Sequence, residues 1–183
     1  MATKIKICGV TRLEDAKLAL ELGAAALGFN FYEKSPRCIS AEDAAAIIRQ
    51  LPPKARFVGV FVNHSKQDVE QIARRASLDT LQFHGDETPE FYGGFKSWDV
   101  IRAVRLREQT TKEELLEAKA NSEFLLFDSF CEADYGGTGK AIPDETLKIA
   151  KELLPEAFLA GGITPDNASE KLKLYAPHPQ SWP

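Results

Sequence analysis

A thiol at Cys8, an imidazole at His84 and a carboxylate at Asp128 each stand where a short apolar run gives way to a polar or glycine-bearing stretch. These are side chains that take up and release protons. Cys8 is reached through Lys4-Ile5-Lys6-Ile7, whose alternation is that of a half-buried strand, and Gly9 and Thr11 then offer a turn and a helix start, so the thiol is expected to face a cleft. Taken alone, a cysteine there is more often a small buried hydrophobe than a catalyst. His84 divides evenly between a structural histidine and a substrate contact. Asp128 closes the all-apolar run Phe124-Leu125-Leu126-Phe127, where a carboxylate without a partner is costly, so a structural reading is weaker.

The elements that must position these groups alternate. Apolar strands are expected at Lys4–Ile7, Ala26–Phe29, Phe57–Phe61, Thr80–Phe83, Val100–Val104, Phe124–Phe127 and Phe158–Ala160. Between and after them the pattern places helices at Leu13–Leu22, closed by Gly23, at Ser40–Gln50 and Ser65–Arg75, after Thr88-Pro89, at Thr111–Ala120 with Glu114 as a capping-box partner, at Asp144–Leu154, and at Pro165–Leu174. Seven βα units imply an α/β fold with a parallel sheet covered by helices. Cys8, Asn30, Asn63, His84, Arg105, Asp128 and Gly161 all fall at or just past the C-terminal ends of different strands, which favours a closed barrel over an open doubly wound sheet.

Lys6-Ile7-Cys8-Gly9-Val10-Thr11, Gly28-Phe29-Asn30-Phe31 with Ser35-Pro36-Arg37, Val58-Gly59-Val60-Phe61, Leu81-Gln82-Phe83-His84-Gly85 and Asp134-Tyr135-Gly136-Gly137-Thr138-Gly139-Lys140 occur in one order along the chain. Together they resemble the phosphoribosylanthranilate isomerase family as far as about Tyr175. The resemblance implies a TIM (β/α)8-type barrel and an Amadori rearrangement of N-(5′-phosphoribosyl)anthranilate in tryptophan biosynthesis, with no metal or organic cofactor. It also implies roles: Cys8 as general base, Asp128 as general acid, and Arg37 as a guanidinium fork for the anthranilate carboxylate. His84 becomes a candidate substrate contact. Gly137 and Gly139 belong to a loop that closes over the substrate, and Gly161-Gly162 to half of a phosphate nest of backbone N–H groups. Read without the family, these glycines are a plain flexible loop and a turn, and Asn63 and Gln82 satisfy backbone groups at the rim.

The same resemblance has a gap, because the family's eighth strand and helix have no counterpart here. After residue 177 the chain reads His178-Pro179-Gln180-Ser181-Trp182-Pro183, and prolines at 177, 179 and 183 exclude a central strand. The expectation is therefore an incomplete barrel over residues 1–177 with a Pro-rich tail at 178–183, an altered C-terminus resembling a frameshift. Its open edges would be available for self-association. An inactive truncated barrel, serving as a binding or regulatory remnant, is the alternative to the isomerase.

Composition narrows the partners. In 183 residues, 44% are hydrophobic and 27% charged, enough for one core, and a net charge of −4 with scattered basic residues disfavours nucleic acid and anionic membranes. Cys8, Cys38 and Cys131 form neither a disulfide framework nor a metal site, and the latter two read as ordinary loop thiols. With no signal peptide or membrane-length apolar run in this sequence, a cytoplasmic enzyme acting on a small phosphorylated molecule is expected.

Overall fold

Alternation of strand and helix is the organising feature of the computed structural model, which describes residues 3–120, 122, 124–129 and 142–175. Seven parallel strands follow chain order within each compact part of the chain, so that a strand lies beside its predecessor in sequence, as short crossover helices require. The chain divides into two compact units, Lys4–Val100 and the residues from Ile101 onward.

The first unit holds β1 (Lys6–Cys8), α1 (Leu13–Glu21), β2 (Ala26–Asn30), α2 (Ala41–Ile48), β3 (Arg56–Phe61), α3 (Lys66–Ala76), β4 (Thr80–Phe83) and α4 (Pro89–Tyr92). Its strands pair in parallel, with Cys8 opposite Gly28, Gly28 opposite Val58, and Val60 opposite Gln82. β2, β3 and β4 are buried almost throughout, which is why β2 and β3 read as largely apolar runs, while β4 also buries Thr80 and Gln82. Phe29, Phe61, Phe83, Leu27 and Leu81 are fully buried, and Phe31 stacks on Phe61 at 5.3 Å between ring centroids. Side chains supply the helix starts: Ser40 accepts from the Asp43 N–H, Ser65 from the Asp68 N–H, and Thr88 from the Phe91 N–H. Gly23 follows α1 with φ +91°, the left-handed conformation that ends a helix most cheaply at glycine.

One expectation for β1 is reversed. Ile5 and Ile7 are 52% and 42% exposed, whereas Lys6 between them is partly buried. The strand stands first in the sheet order and, among the described residues, has β2 alone beside it, and Leu18 of α1 and Leu22 just after it are likewise exposed. Alternation set the two faces correctly, but the apolar face is exposed, as are Lys4 and Cys8 on the other.

The second unit contains β5 (Asp99–Leu106), which enters from the first, then α5 (Lys112–Ala120), β6 (Phe124–Ser129), α6 (Asp144–Leu153), β7 (Phe158–Leu159) and α7 (Ala168–Tyr175). Leu106, Leu115, Phe127 and Leu147 are fully buried in its core, with Leu125, Ile142 and Leu154 packed around them. The capping box at α5 forms in both directions: the Glu114 N–H donates to Thr111 Oγ1 at 3.2 Å and the Thr111 N–H to Glu114 Oε2 at 2.9 Å. α7 starts at Ala168 rather than Pro165, because the Asn167 and Ala168 N–H groups both return to the Thr164 carbonyl and form a turn first.

Lys171 of α7 donates to Asp144 at the start of α6 at 2.7 Å, and this bond with its charge holds the Asp144 carboxyl below the ordinary aspartate range. A depressed folded-state pKa means stability present above the unfolded pKa and lost as pH falls through the folded one. Lys171→Met is expected to raise the Asp144 titration toward the ordinary range, with the Lys148 charge still lowering it, which carboxyl NMR across acid pH reads directly.

Candidate active site

At the end of β1, Lys6 and Cys8 project to the same face of the strand, and the residue opposite Cys8 is Gly28. A Cβ at Gly28 would stand 3.0 Å from Cys8 Sγ and 3.1 Å from Lys6 Nζ, so the glycine leaves the thiol its space. The Gly28 carbonyl accepts from both the Gly9 and Val10 N–H groups, at 2.8 and 3.0 Å, and Gly9 takes φ +82° to make this turn. Cys8 emerges from it exposed, with a free thiol.

Arg37 lies 29 positions away in sequence, yet its Nη1 donates to the Cys8 carbonyl at 2.8 Å. Its side chain covers Gly9 so closely that a Cβ there would fall within 2.8 Å of Cδ, Nε and Nη1. The tight turn at Ser35, whose Oγ accepts from the Arg37 N–H, delivers the guanidinium to this position. Cys38 follows Arg37 directly. Although much of the residue is exposed, partial burial of its thiol and the nearby Glu33 carboxylate push the Cys38 thiol above its ordinary range, against a smaller opposing hydrogen bond from the Ile39 N–H.

His84, buried at the end of β4, donates its backbone N–H to the Phe61 carbonyl at 2.9 Å. Gln82 Nε2 lies 3.1 Å from His84 Nδ1, an amide–imidazole contact just past the end of β4. Among the described residues Gln82 Oε1 is buried with no hydrogen-bond partner. Asn63 Oδ1 accepts from the Asp86 N–H at 2.8 Å, so this side chain does satisfy the backbone at the rim.

In the second unit, Asp128 sits opposite Arg105 in the β5–β6 register, which puts both side chains on one face of the sheet. Asp128 is 5% exposed, and its Oδ1 accepts from the Ser129 N–H at 2.7 Å. Gly161, φ +81°, packs directly against it: a Cβ there would lie 2.6 Å from Asp128 Oδ1. Gly162 follows at φ +63°. Asn167 fixes this bend, donating through Nδ2 to the Gly162 carbonyl and accepting from the Thr164 N–H, both at 2.8 Å. Asn167→Ala removes both bonds and is expected to cost about 1–2 kcal/mol in a urea melt. Asn167→Asp should be no better, because it keeps the acceptor but sets an anion against the Gly162 carbonyl.

Gly137 and Gly139, with Cys131 and the tail at 178–183, lie outside the described residues. Among the described residues no cluster of His, Cys, Asp and Glu could hold a metal ion, and no helix is long and apolar enough to cross a membrane.

A family model described as PRAI, N-(5'phosphoribosyl)anthranilate (PRA) isomerase, matches residues 5–179. The chain belongs to this family. It is 43% identical over 176 residues to the N-(5'-phosphoribosyl)anthranilate isomerase of Citrifermentans bemidjiense and 41% identical over 175 residues to that of Trichlorobacter lovleyi, covering in each case 96% of this chain and 84% of the relative. The phosphoribosyl anthranilate isomerase of Thermus thermophilus superposes with a TM-score of 0.84 at 37% identity, over 94% of this chain and 84% of that one. Another isomerase structure, at 32% identity and TM-score 0.78 over 96% and 84% of the two chains, is a complex with reduced 1-(o-carboxyphenylamino)-1-deoxyribulose 5-phosphate. Seven βα units of the TIM-type fold are thus accounted for, and the family match runs slightly past Tyr175.

Within this family member, the sequence alone did not mark Gly28 as the space beside Cys8, Asn167 as the brace of the Gly161-Gly162 bend, or Glu87 as the acceptor of the Asn63 and Gly85 N–H groups. Gly28 could have been found by pairing the first two strands in parallel register, which sets a residue without a side chain opposite Cys8. Asn167 follows Gly161-Gly162 by a turn's length and has the side chain to cap it.

Proposed function

We propose that this chain isomerises N-(5′-phosphoribosyl)anthranilate to 1-(2-carboxyphenylamino)-1-deoxyribulose 5-phosphate in tryptophan biosynthesis, using Cys8 as base and Asp128 as acid. The observation that carries the reading is the family match across 5–179, together with a thiol and a carboxyl at the C-terminal ends of two different sheet strands. The rearrangement is an internal redox change, with no electrons entering or leaving the substrate. Asp128 protonates the ribose ring oxygen as the C1–O bond breaks and the anilino nitrogen forms a Schiff base. The Cys8 thiolate then takes the proton from C2, and the resulting enolamine gives the ketose as C1 gains a proton and the C2 hydroxyl loses one. A thiol serves as base only through its thiolate, and general acid–base groups of this kind contribute about 10² to 10⁴ in rate.

Arg37 spends one Nη on the Cys8 carbonyl, and its remaining N–H donors are suited to the anthranilate carboxylate. His84 contacts the substrate from β4. Gly161 and Gly162, with Gly137 and Gly139 from the loop after β6, complete the binding set, the first pair offering backbone N–H groups to the phosphate. The reading includes a cytoplasmic setting and one domain over residues 1–177.

Loss of anthranilate fluorescence on mixing with the substrate tests turnover. Complementation of a tryptophan auxotroph lacking this isomerase tests it in the cell: no growth and no fluorescence decay would favour the inactive-barrel alternative. The exposed Ile5, Ile7, Leu18 and Leu22 support self-association of two copies through the β1–α1 side, and size-exclusion chromatography showing a monomer at all concentrations would remove that part.

A further inference from the structure

Asn63 is one of two non-glycine residues in the described chain with positive φ, at +54°, and it sits in the loop between β3 and α3. Such strain persists only where the surroundings hold it. What holds it here comes from the next loop: Glu87 Oε1 accepts from the Asn63 N–H at 2.7 Å, while Glu87 Oε2 accepts from the Gly85 N–H at 2.9 Å. Asn63 answers with its side chain, accepting the Asp86 N–H. The two loops press together so closely that a Cβ on Gly85 would be 2.4 Å from Asn63 Oδ1.

We propose that Glu87 is a positioning residue for substrate binding: its carboxylate clamps the β3–α3 loop to the β4–α4 loop and thereby fixes the pose of His84. The inference rests on the isomerase reading, in which His84 contacts substrate. His84 is held on three sides. Its N–H is bound to the Phe61 carbonyl of β3, its ring is engaged by Gln82, and the residue after it is tied down by Glu87. The Glu87 bonds, together with the Asp86 N–H to Asn63 Oδ1 bond, join the segment following His84 to the loop after the neighbouring strand, where freedom of the main chain would swing the imidazole. Both Glu87 oxygens bind main-chain donors, so its role is geometric and it delivers no proton.

A kinetic cycle tests this. Glu87→Ala and His84→Ala are each expected to raise KM for phosphoribosylanthranilate by about tenfold, with kcat changed less than about threefold. The double variant should have the KM of His84→Ala alone, because without the imidazole nothing remains to be positioned. Glu87→Gln has one acceptor for two N–H groups and should lie between wild type and Glu87→Ala, which guards against a misfolded alanine variant. A double-variant KM equal to the product of the two single effects overturns the proposal and makes Glu87 a general loop brace. Absence of wild-type turnover would instead overturn the isomerase reading. The clamp is then judged by NMR: Glu87→Gln must shift the His84 ring resonances and speed exchange of the Asn63 and Gly85 amides, and an unmoved His84 ring overturns it.

Discussion

Asp128→Asn is expected to lower kcat by about 10² to 10⁴ with the fold intact, and Cys8→Ser to do the same. Asparagine keeps the Oδ1 that accepts the Ser129 N–H at 2.7 Å, and it matches aspartate in shape beside Gly161, so neither the bond nor the packing is disturbed. What it lacks is a transferable carboxyl proton. Serine in place of Cys8 changes one atom of an exposed side chain, in the space that Gly28 leaves open, and replaces an ionisable thiol with a hydroxyl that is not a base near neutrality. A loss of this size is about 3–5 kcal/mol of transition-state stabilisation, far above what either substitution could cost in stability. Stopped-flow fluorescence beside thermal melts separates the two quantities. Unchanged turnover in either variant would remove that residue from the mechanism, whatever the family resemblance says. The two variants should also differ in substrate affinity less than in kcat, since both groups act on bonds being broken rather than on the ground state.

Most of the architecture was legible because its signals are local. Ser40, Ser65, Thr88 and the Thr111–Glu114 box announce helix starts through bonds spanning three residues, and the runs at β2 and β3 are largely apolar because both their faces are buried. Candidate residues at strand ends were legible for the same reason: once the strands are placed, Cys8, His84 and Asp128 can only lie at their termini. Contacts made through register or across loops were not. That Gly28 faces Cys8, that Arg37 grips the Cys8 carbonyl, and that Glu87 spans to Asn63 are relations between segments 20 to 29 residues apart, and no periodicity encodes them. The exposure of Ile5 and Ile7 was hidden in another way. Alternation says which residues share a face, and only the neighbours of β1 decide whether that face is covered.

Gly161→Ala should be the most damaging substitution of a residue that carries no functional group. Two costs add at this position. An alanine at φ +81° pays about 1–2 kcal/mol for a left-handed backbone, as it would at any glycine with positive φ. Its Cβ would also stand 2.6 Å from both Asp128 Oδ1 and the Ser129 nitrogen, where the neighbours are a buried carboxylate and main chain of β6 rather than the end of a flexible side chain. Relief requires moving the carboxylate or opening the β6–β7 pairing, which the Ala160 N–H to Phe127 carbonyl bond at 2.7 Å holds closed. Gly23→Ala supplies the control. At φ +91° with nothing within 4 Å of a Cβ, it carries the backbone cost alone. The expected result is a Tm lowered by about 2–6 °C in Gly23→Ala and by at least twice that in Gly161→Ala. Turnover should survive in the first and fall by at least about tenfold in the second, because a misplacement near 1 Å at an acid is enough to cost that much. Equal effects in the two variants would mean that Gly161 is required for its backbone conformation only, and that its contact with Asp128 does not govern where the proposed acid sits.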